Sequence, residues 1–282
     1  MHKTLIGLTL IIVFLISSAQ PALGARRPRH LPYFDKVLKI YGVDGCFVLH
    51  NSKRGHTMMY KNNRYYTGYL PASTFKIWNT LIGLETGVLS GPEHKYEWDG
   101  KKRYFRSWNK DHTLRTAFKN SVVWYYQKLA REIGPERMNS YLKKIGYGNL
   151  DTSAGIDKFW LEGPMKITPV EQVKLLDKLL AGKLPFSQKN IDILKDIAVI
   201  QKGKDFTLYG KTGWAQFPDK NLGWLVGWVN QKGNDHIFAT NVESSRDNPL
   251  FSKSRLEISR IMLRGNLLLE GPPKRKNSTH KY

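Results

Sequence analysis

Residues 206–242 read FTLYGKTGWAQFPDKNLGWLVGWVNQKGNDHIFATNV. Three runs rich in β-branched and aromatic residues, Phe206–Trp214, Leu222–Val229 and His236–Val242, are separated by Gln216-Phe217-Pro218-Asp219 and Gln231-Lys232-Gly233-Asn234. Each separator carries the residues that turn a chain, and connections this short join antiparallel neighbours. The spacing predicts consecutive strands of one antiparallel sheet.

Upstream the same signal returns once. Residues 45–50 and 57–60 read as two short strands around Asn51-Ser52-Lys53-Arg54-Gly55, a hairpin. Between the two strand regions the period changes. Phe75, Trp78, Leu81, Ile82 and Glu85 recur at three and four, with Ser73 in the first turn and Gly87 where a C-cap would fall. Residues 113–133 and 135–145 are also predicted helical, the second opening on Pro135. Thr168-Pro169-Val170-Glu171 is a capping box ahead of an apolar face formed by Val170, Leu175, Leu176, Leu179 and Leu180. A last helix over Ser254–Leu269 would cover the sheet. Strands at both ends with helices between them give an α+β unit interrupted by a helical insert at about residues 90–200.

The 282 residues are 41% hydrophobic and 12% aromatic, enough for a substantial core, which excludes a disordered chain. Lys and Arg number 45 against 23 Asp and Glu, a formal charge of +22 that concerns the surface and its partners rather than the fold. Thr4–Ile16 is the only long apolar run, preceded by Lys3 and followed by small residues at Ala22 and Gly24. It is too short to span a bilayer and reads as a secretory signal over residues 1–24, so a secreted or periplasmic protein without a permanent membrane anchor is expected. Residues 25–272 would form the folded unit and 273–282, with Lys274-Arg275-Lys276, a basic disordered tail. Cys46 is the single cysteine, so no disulfide forms within the chain, and its apolar neighbours Phe47-Val48-Leu49 mark it as a buried thiol. The eight histidines lack ligand spacing, and no metal centre is expected.

Two short motifs could carry chemistry. Ser73-Thr74-Phe75-Lys76 sets a hydroxyl and an amine three residues apart, on one face of a helix. By itself SxxK means little, since it recurs at Ser107/Lys110 and Ser278/Lys281 and average composition yields about one match by chance. The first copy differs in opening a helix after Pro71, where free amides favour an oxyanion, and in its apolar flank of Phe75, Ile77 and Trp78, which disfavours a charged ammonium on Lys76. Lys211-Thr212-Gly213 lies inside a strand: Lys and Thr offer a cation and a hydroxyl to an anion, while Gly allows close approach. A glycine bulge beside a solvated Lys would look the same. Ser121-Val122-Val123 and Tyr147-Gly148-Asn149 alone would pass as a helical Ser and an ordinary turn.

In the order SxxK, Ser-x-Val, Tyr-Gly-Asn, Lys-Thr-Gly on an α+β frame, these elements resemble the serine penicillin-recognising enzymes. Pro71–Lys76, Trp98-Asp99-Gly100, Trp108-Asn109, Asp111-His112-Thr113-Leu114, Phe159-Trp160-Leu161-Glu162-Gly163 and Gly223-Trp224-Leu225-Val226-Gly227-Trp228-Val229 look like class D β-lactamases, the oxacillinases, over residues 45–270. The resemblance implies a β-lactamase/transpeptidase-like fold, its central antiparallel sheet flanked by N- and C-terminal helices with a mostly helical second subdomain. It also implies that Ser73 attacks the lactam carbonyl to form an acyl-enzyme, and that Lys76, carboxylated by CO2 or bicarbonate to N6-carboxylysine, is the general base. Only an uncharged amine attacks CO2, which agrees with the apolar flank. By the same resemblance Trp160 donates its indole N–H to the carbamate, Val123 and Leu161 form an apolar lid, and Ser121 relays a proton to the departing nitrogen. Lys211, Thr212 and Gly213 bind the substrate carboxylate, and the backbone N–H groups of Ser73 and Trp214 form the oxyanion hole. An arginine of the last helix holds that carboxylate; Arg255 matches best, with Arg246 and Arg260 as alternatives. No metal or organic cofactor and no nucleic-acid partner is implied, and the chain would be a monomer or homodimer.

Two other readings stand beside this one. Penicillin-binding transpeptidases and β-lactam sensor domains share the Ser, Lys and KTG set but deacylate slowly. A secreted polyanion-binding protein would account for the charge, through runs such as Lys101-Lys102-Arg103, although no nucleic-acid motif accompanies them.

Overall fold

The computed structural model describes residues 32–60 and 63–270 of the chain. The signal segment 1–24 and the tail 273–282 lie outside the described residues.

Strands β1 (Asp44–Asn51), β2 (His56–Tyr60), β5 (Val199–Lys202), β6 (Phe206–Gln216), β7 (Lys220–Gln231) and β8 (Asn234–Ser245) form one sheet in the order β2-β1-β8-β7-β6-β5. Every neighbouring pair is antiparallel. The three expected strands are β6, β7 and β8, and the predicted hairpin joins their far edge as β1 and β2. Alternation along a strand sends successive side chains to opposite faces. On β7, Trp224, Val226 and Trp228 belong to one apolar cluster while Leu225 and Val229 belong to another. Both faces are therefore covered. Helices α1 (Pro32–Ile40) and α8 (Phe251–Gly265) close one face with Phe34, Val37, Leu38, Ile258, Met262 and Leu263. The other face packs against α6 (Pro169–Leu180), and α2 (Lys76–Glu85), part of the same apolar cluster, is buried throughout its Lys76–Leu84 stretch. A helix enclosed on all sides is apolar around its circumference, which makes its one lysine conspicuous.

The remaining helices, α3 (Leu114–Lys119), α4 (Val123–Ile133), α5 (Pro135–Ile145) and α7 (Gln188–Ile197), lie like α6 between Thr113 and Val199 in sequence. Short strands β3 (Lys95–Tyr96) and β4 (His112–Thr113) pair with each other. The capping box is present: Glu171 N–H donates to Thr168 Oγ1 at 3.1 Å and Thr168 N–H to Glu171 Oε2 at 2.8 Å.

Two helix expectations need correction. The helix predicted over 113–133 is two helices, because Ser121 sits at φ 56° and ends the first one. Periodicity hides this break: Leu114, Phe118, Val122, Tyr125, Leu129 and Ile133 keep the three-and-four spacing across it and are all buried. Likewise, Ser73 lies in a 3-10 turn, Ala72–Phe75, that precedes α2, with Ala72 at φ 48°. That is a strained backbone for a residue with a Cβ.

Strands β6 and β7 approach closely at Gly210 and Gly227, which face each other in the register. A Cβ at position 227 would come within 2.0 Å of the Tyr209 carbonyl oxygen. Gly227→Ala is expected to cost about 3 kcal/mol, read as a lower urea midpoint at unchanged slope.

Candidate active site

The 3-10 turn brings Ser73 to the start of α2, so Lys76 follows it by one turn. Lys76 Nζ lies 2.8 Å from Ser73 Oγ, and the lysine side chain is wholly buried. Its Nζ lies 5.2 Å from the centre of the Tyr126 ring, and no carboxylate among the described residues pairs with it. Burial, followed by the charge of Lys211, holds this amine well below the usual lysine range. Burial thus disfavours its charged form and leaves a base in hydrogen-bond reach of a hydroxyl, the arrangement that activates a serine.

Strand β6 supplies the second half. It passes the serine turn so closely that a Cβ on Gly213 would meet Pro71 O, Thr74 Cγ2 and Trp224 Cβ, each at 3.2 Å. The glycine of KTG thus sits in tight packing against the turn and Trp224, which a side chain there would crowd. Lys211 Nζ donates to Ser121 Oγ at 3.0 Å and to the Thr212 carbonyl at 3.1 Å. The left-handed turn that breaks the predicted helix is what aims Ser121 at this lysine. Burial, and then the nearby Arg255 charge, push the Lys211 amine down to about 7.

Among the three arginines considered, Arg255 is the one that reaches β6. Its Nη1 donates to the Gly213 carbonyl at 2.9 Å, and its guanidinium lies 5.0 Å from the centre of the Trp214 ring. Arg246 instead donates to Phe217 O, and Arg260 pairs with Glu257. Arg255 Nε is buried and has no acceptor among the described residues. Three cationic or polar groups, Lys211, Thr212 and Arg255, thereby converge along one strand, as a carboxylate would need.

Trp160 is fully buried and stacks on Phe75, the neighbour of Lys76, at 5.5 Å between ring centres. Its indole N–H has no acceptor among the described residues. A buried donor left without a partner costs stability, so its presence beside the catalytic turn calls for an acceptor there. Leu161 and Val123 are half-buried, Leu161 on the loop after Trp160 and Val123 opening α4. Leu161 borders a cleft of about 440 Å³ together with Tyr69, Gln216 and Phe217. A second cleft, about 410 Å³, is edged by Arg115, Lys119, Lys211 and Thr212.

Tyr147-Gly148-Asn149 holds its neighbours rather than the reacting atoms. Asn149 takes the Lys166 N–H at 2.9 Å and gives its amide to Pro164 O at 2.9 Å, pinning the segment that follows Trp160. Gln172 was missed: it is buried and donates to Thr74 Oγ1 at 3.0 Å, next to Ser73. A lone amide between Val170 and Val173 on an apolar helix face was the available signal.

The family model of the penicillin-binding-protein transpeptidase domain matches residues 45–261. A probable β-lactamase of Bacillus subtilis, YbxI, is 44% identical over 203 residues, covering 72% of this chain and 76% of that protein. FUS-1 (OXA-85), a class D β-lactamase from Fusobacterium nucleatum subsp. polymorphum, has a solved structure that superposes with a TM-score of 0.80 at 41% identity, covering 86% of this chain and all of that one. The regulatory protein BlaR1 of Bacillus licheniformis is 35% identical over 215 residues, and the chain spans only 35% of its length. With the family's serine, lysine and KTG groups converging as described, the chain belongs to the transpeptidase-domain family and, within it, to the class D serine β-lactamases.

Proposed function

We propose that the protein hydrolyses the β-lactam amide of penicillin-type antibiotics through an acyl-enzyme on Ser73. The observation that carries this reading is the 2.8 Å contact between Ser73 Oγ and a wholly buried lysine amine, whose charged form burial disfavours. Ser73 loses its proton to the Lys76 side chain as its oxygen closes on the lactam carbonyl. Lys211, Thr212 and Arg255 hold the substrate carboxylate and so fix the ring against the serine. Ser121, in contact with Lys211 Nζ, returns a proton to the departing lactam nitrogen. Backbone N–H groups of Ser73 and Trp214 receive the developing oxyanion.

Carbon dioxide added to Lys76 Nζ supplies a carboxylate-type base for the deacylating water. The residues fit this group: burial favours the uncharged amine that addition to CO2 requires, and the Trp160 N–H, without an acceptor among the described residues, is a donor for the resulting oxygen. Export across the cytoplasmic membrane completes the proposal, supported by the Lys3-to-Gly24 pattern. No helix among the described residues is long and apolar enough to cross a membrane.

Hydrolysis of a chromogenic cephalosporin, with CO2 stripped at mildly acidic pH and then with bicarbonate restored, tests both parts. Many turnovers that fall without CO2 and recover with bicarbonate are expected. The similarity to BlaR1 favours a second reading, an acylating sensor domain, and a single stoichiometric burst in both conditions would establish it instead.

The Lys211 amine gives a pH prediction. Below about 7 it is charged and attracts the substrate carboxylate; above that value the free enzyme loses the charge. The kcat/KM for a carboxylate-bearing lactam is therefore expected to fall on the alkaline side of about 7, chiefly through KM. Lys211→Arg, which stays protonated, should remove that alkaline limb while lowering kcat.

A further inference from the structure

One side chain of α6 takes no part in the chemistry described above and is poorly explained by packing. Gln172 is wholly buried in a helix whose Val170, Val173, Leu175 and Leu176 are buried with it. Only half of its amide is used: Nε2 donates to Thr74 Oγ1 at 3.0 Å, whereas Oε1 receives no donor among the described residues. A buried acceptor left in that state opposes folding, so a residue that merely filled this space would be apolar, as its neighbours are. The half that is used points at the serine turn.

That turn depends on outside support. Ala72 holds φ 48°, a left-handed backbone that is costly for a residue with a Cβ and persists only where its surroundings impose it. Neighbouring elements grip both ends. Trp224 of β7 donates its indole N–H to the Leu70 carbonyl at 3.0 Å. Tyr69 and Ile167 exchange backbone bonds of 3.0 and 2.9 Å, which tie the approach to the turn to the segment leading into α6. On the far side of the strained residue, the Thr74 hydroxyl donates to the Pro71 carbonyl at 2.6 Å, closing the turn across Ala72 and Ser73. Gln172 donates to the same hydroxyl oxygen, which fixes the direction of the hydroxyl and strengthens the bond it gives. The helix that carries Gln172 is itself held, by its capping box and by Asp177, which accepts from Ser52 Oγ at 2.7 Å.

We propose that Gln172 is a positioning residue: through Thr74 it locks the strained Ala72–Ser73 backbone and so keeps the Ser73 hydroxyl on Lys76 and the Ser73 N–H directed at the oxyanion. The proposal rests on the acyl-enzyme reading above. Lys211, Thr212 and Arg255, which hold the substrate carboxylate, lie on β6 and α8 and are independent of it. Loss of the Gln172 donor therefore slows attack without weakening binding, since a nucleophile misplaced by about an ångström loses rate on the order of a hundredfold.

The test is acylation of the full chain by a fluorescent penicillin, followed in single turnover over a range of enzyme concentrations. Wild type, Gln172→Met, Thr74→Val and the double variant are compared, with melting temperatures alongside. Gln172→Met is expected to lower the limiting acylation rate by roughly thirtyfold at an unchanged half-saturating concentration. Its melting temperature should stay within about two degrees of wild type or rise, because methionine fills the same space and the unpaired acceptor is gone. Adding Gln172→Met to Thr74→Val should change the rate by less than about twofold, since both act through one contact. A Gln172→Met protein that acylates at the wild-type rate overturns the proposal, and so do losses that multiply in the double variant. Thr74→Val probes the same contact from the turn, so if Gln172→Met fails to fold, wild-type acylation in Thr74→Val overturns it equally. Wild type that forms no acyl-enzyme overturns the acyl-enzyme reading itself, and the proposal with it.

Discussion

Lys76→Ala is expected to lower turnover of a chromogenic cephalosporin by at least about a thousandfold, the usual contribution of a positioned general base, while leaving the protein folded. The loss follows from geometry. Among the described residues only Lys76 Nζ is placed, at 2.8 Å, to take the Ser73 proton, and Lys211, the other amine of the site, is engaged by Ser121 and Thr212. Mass spectrometry of protein mixed with substrate should then show no acyl-enzyme, since attack itself fails. A companion measurement separates mechanism from structure. Lys76 is buried among apolar side chains with no counter-charge, so its polar head opposes folding. Lys76→Met, which fills similar volume, is expected to raise the melting temperature by a few degrees while abolishing turnover. Full activity in Lys76→Ala would sink the mechanism; a lower melting temperature in Lys76→Met would show that the amine is a structural partner instead.

This trade of stability for chemistry also explains what the sequence could and could not reveal. The sheet was legible because β6, β7 and β8 are consecutive, with turn residues between them and register set by short connections. The apolar flank of Lys76 already announced a neutral amine, and the structure supplies the enclosure. What stayed hidden depends on backbone conformation. Ser121 stands in a run whose apolar spacing is continuous, and only its positive φ turns it away from its own helix and toward Lys211. Gly213 looked like an accommodation for ligand, yet it is the serine turn that presses on it. Arg255 was only the best match of three arginines in sequence; the fold decides, since Arg246 lies before α8 and donates to Phe217 O while Arg260 pairs with Glu257.

Trp160→Phe is expected to separate the two halves of the reaction. Phenylalanine retains the apolar ring against Phe75 and removes only the indole N–H, the donor that has no acceptor among the described residues. If that donor serves the carboxylated lysine, its loss leaves Ser73 and the KTG strand able to bind and attack but weakens the base that activates the deacylating water. Acylation should therefore persist while deacylation slows by about a hundredfold, the low end of what general-base catalysis contributes. Acyl-enzyme would then accumulate and be visible as a mass increase equal to the intact lactam after rapid quenching. Bicarbonate at high concentration should recover part of the rate by mass action on the lysine, and it should do nothing for Lys76→Ala. The stability readout points the other way from the kinetic one: removing an unpaired buried donor is near neutral or favourable, so Trp160→Phe should melt no more than a few degrees from wild type. A variant that deacylates at the wild-type rate would mean that Trp160 only fills space beside Phe75, and that the neutral Lys76 amine acts as the base without modification.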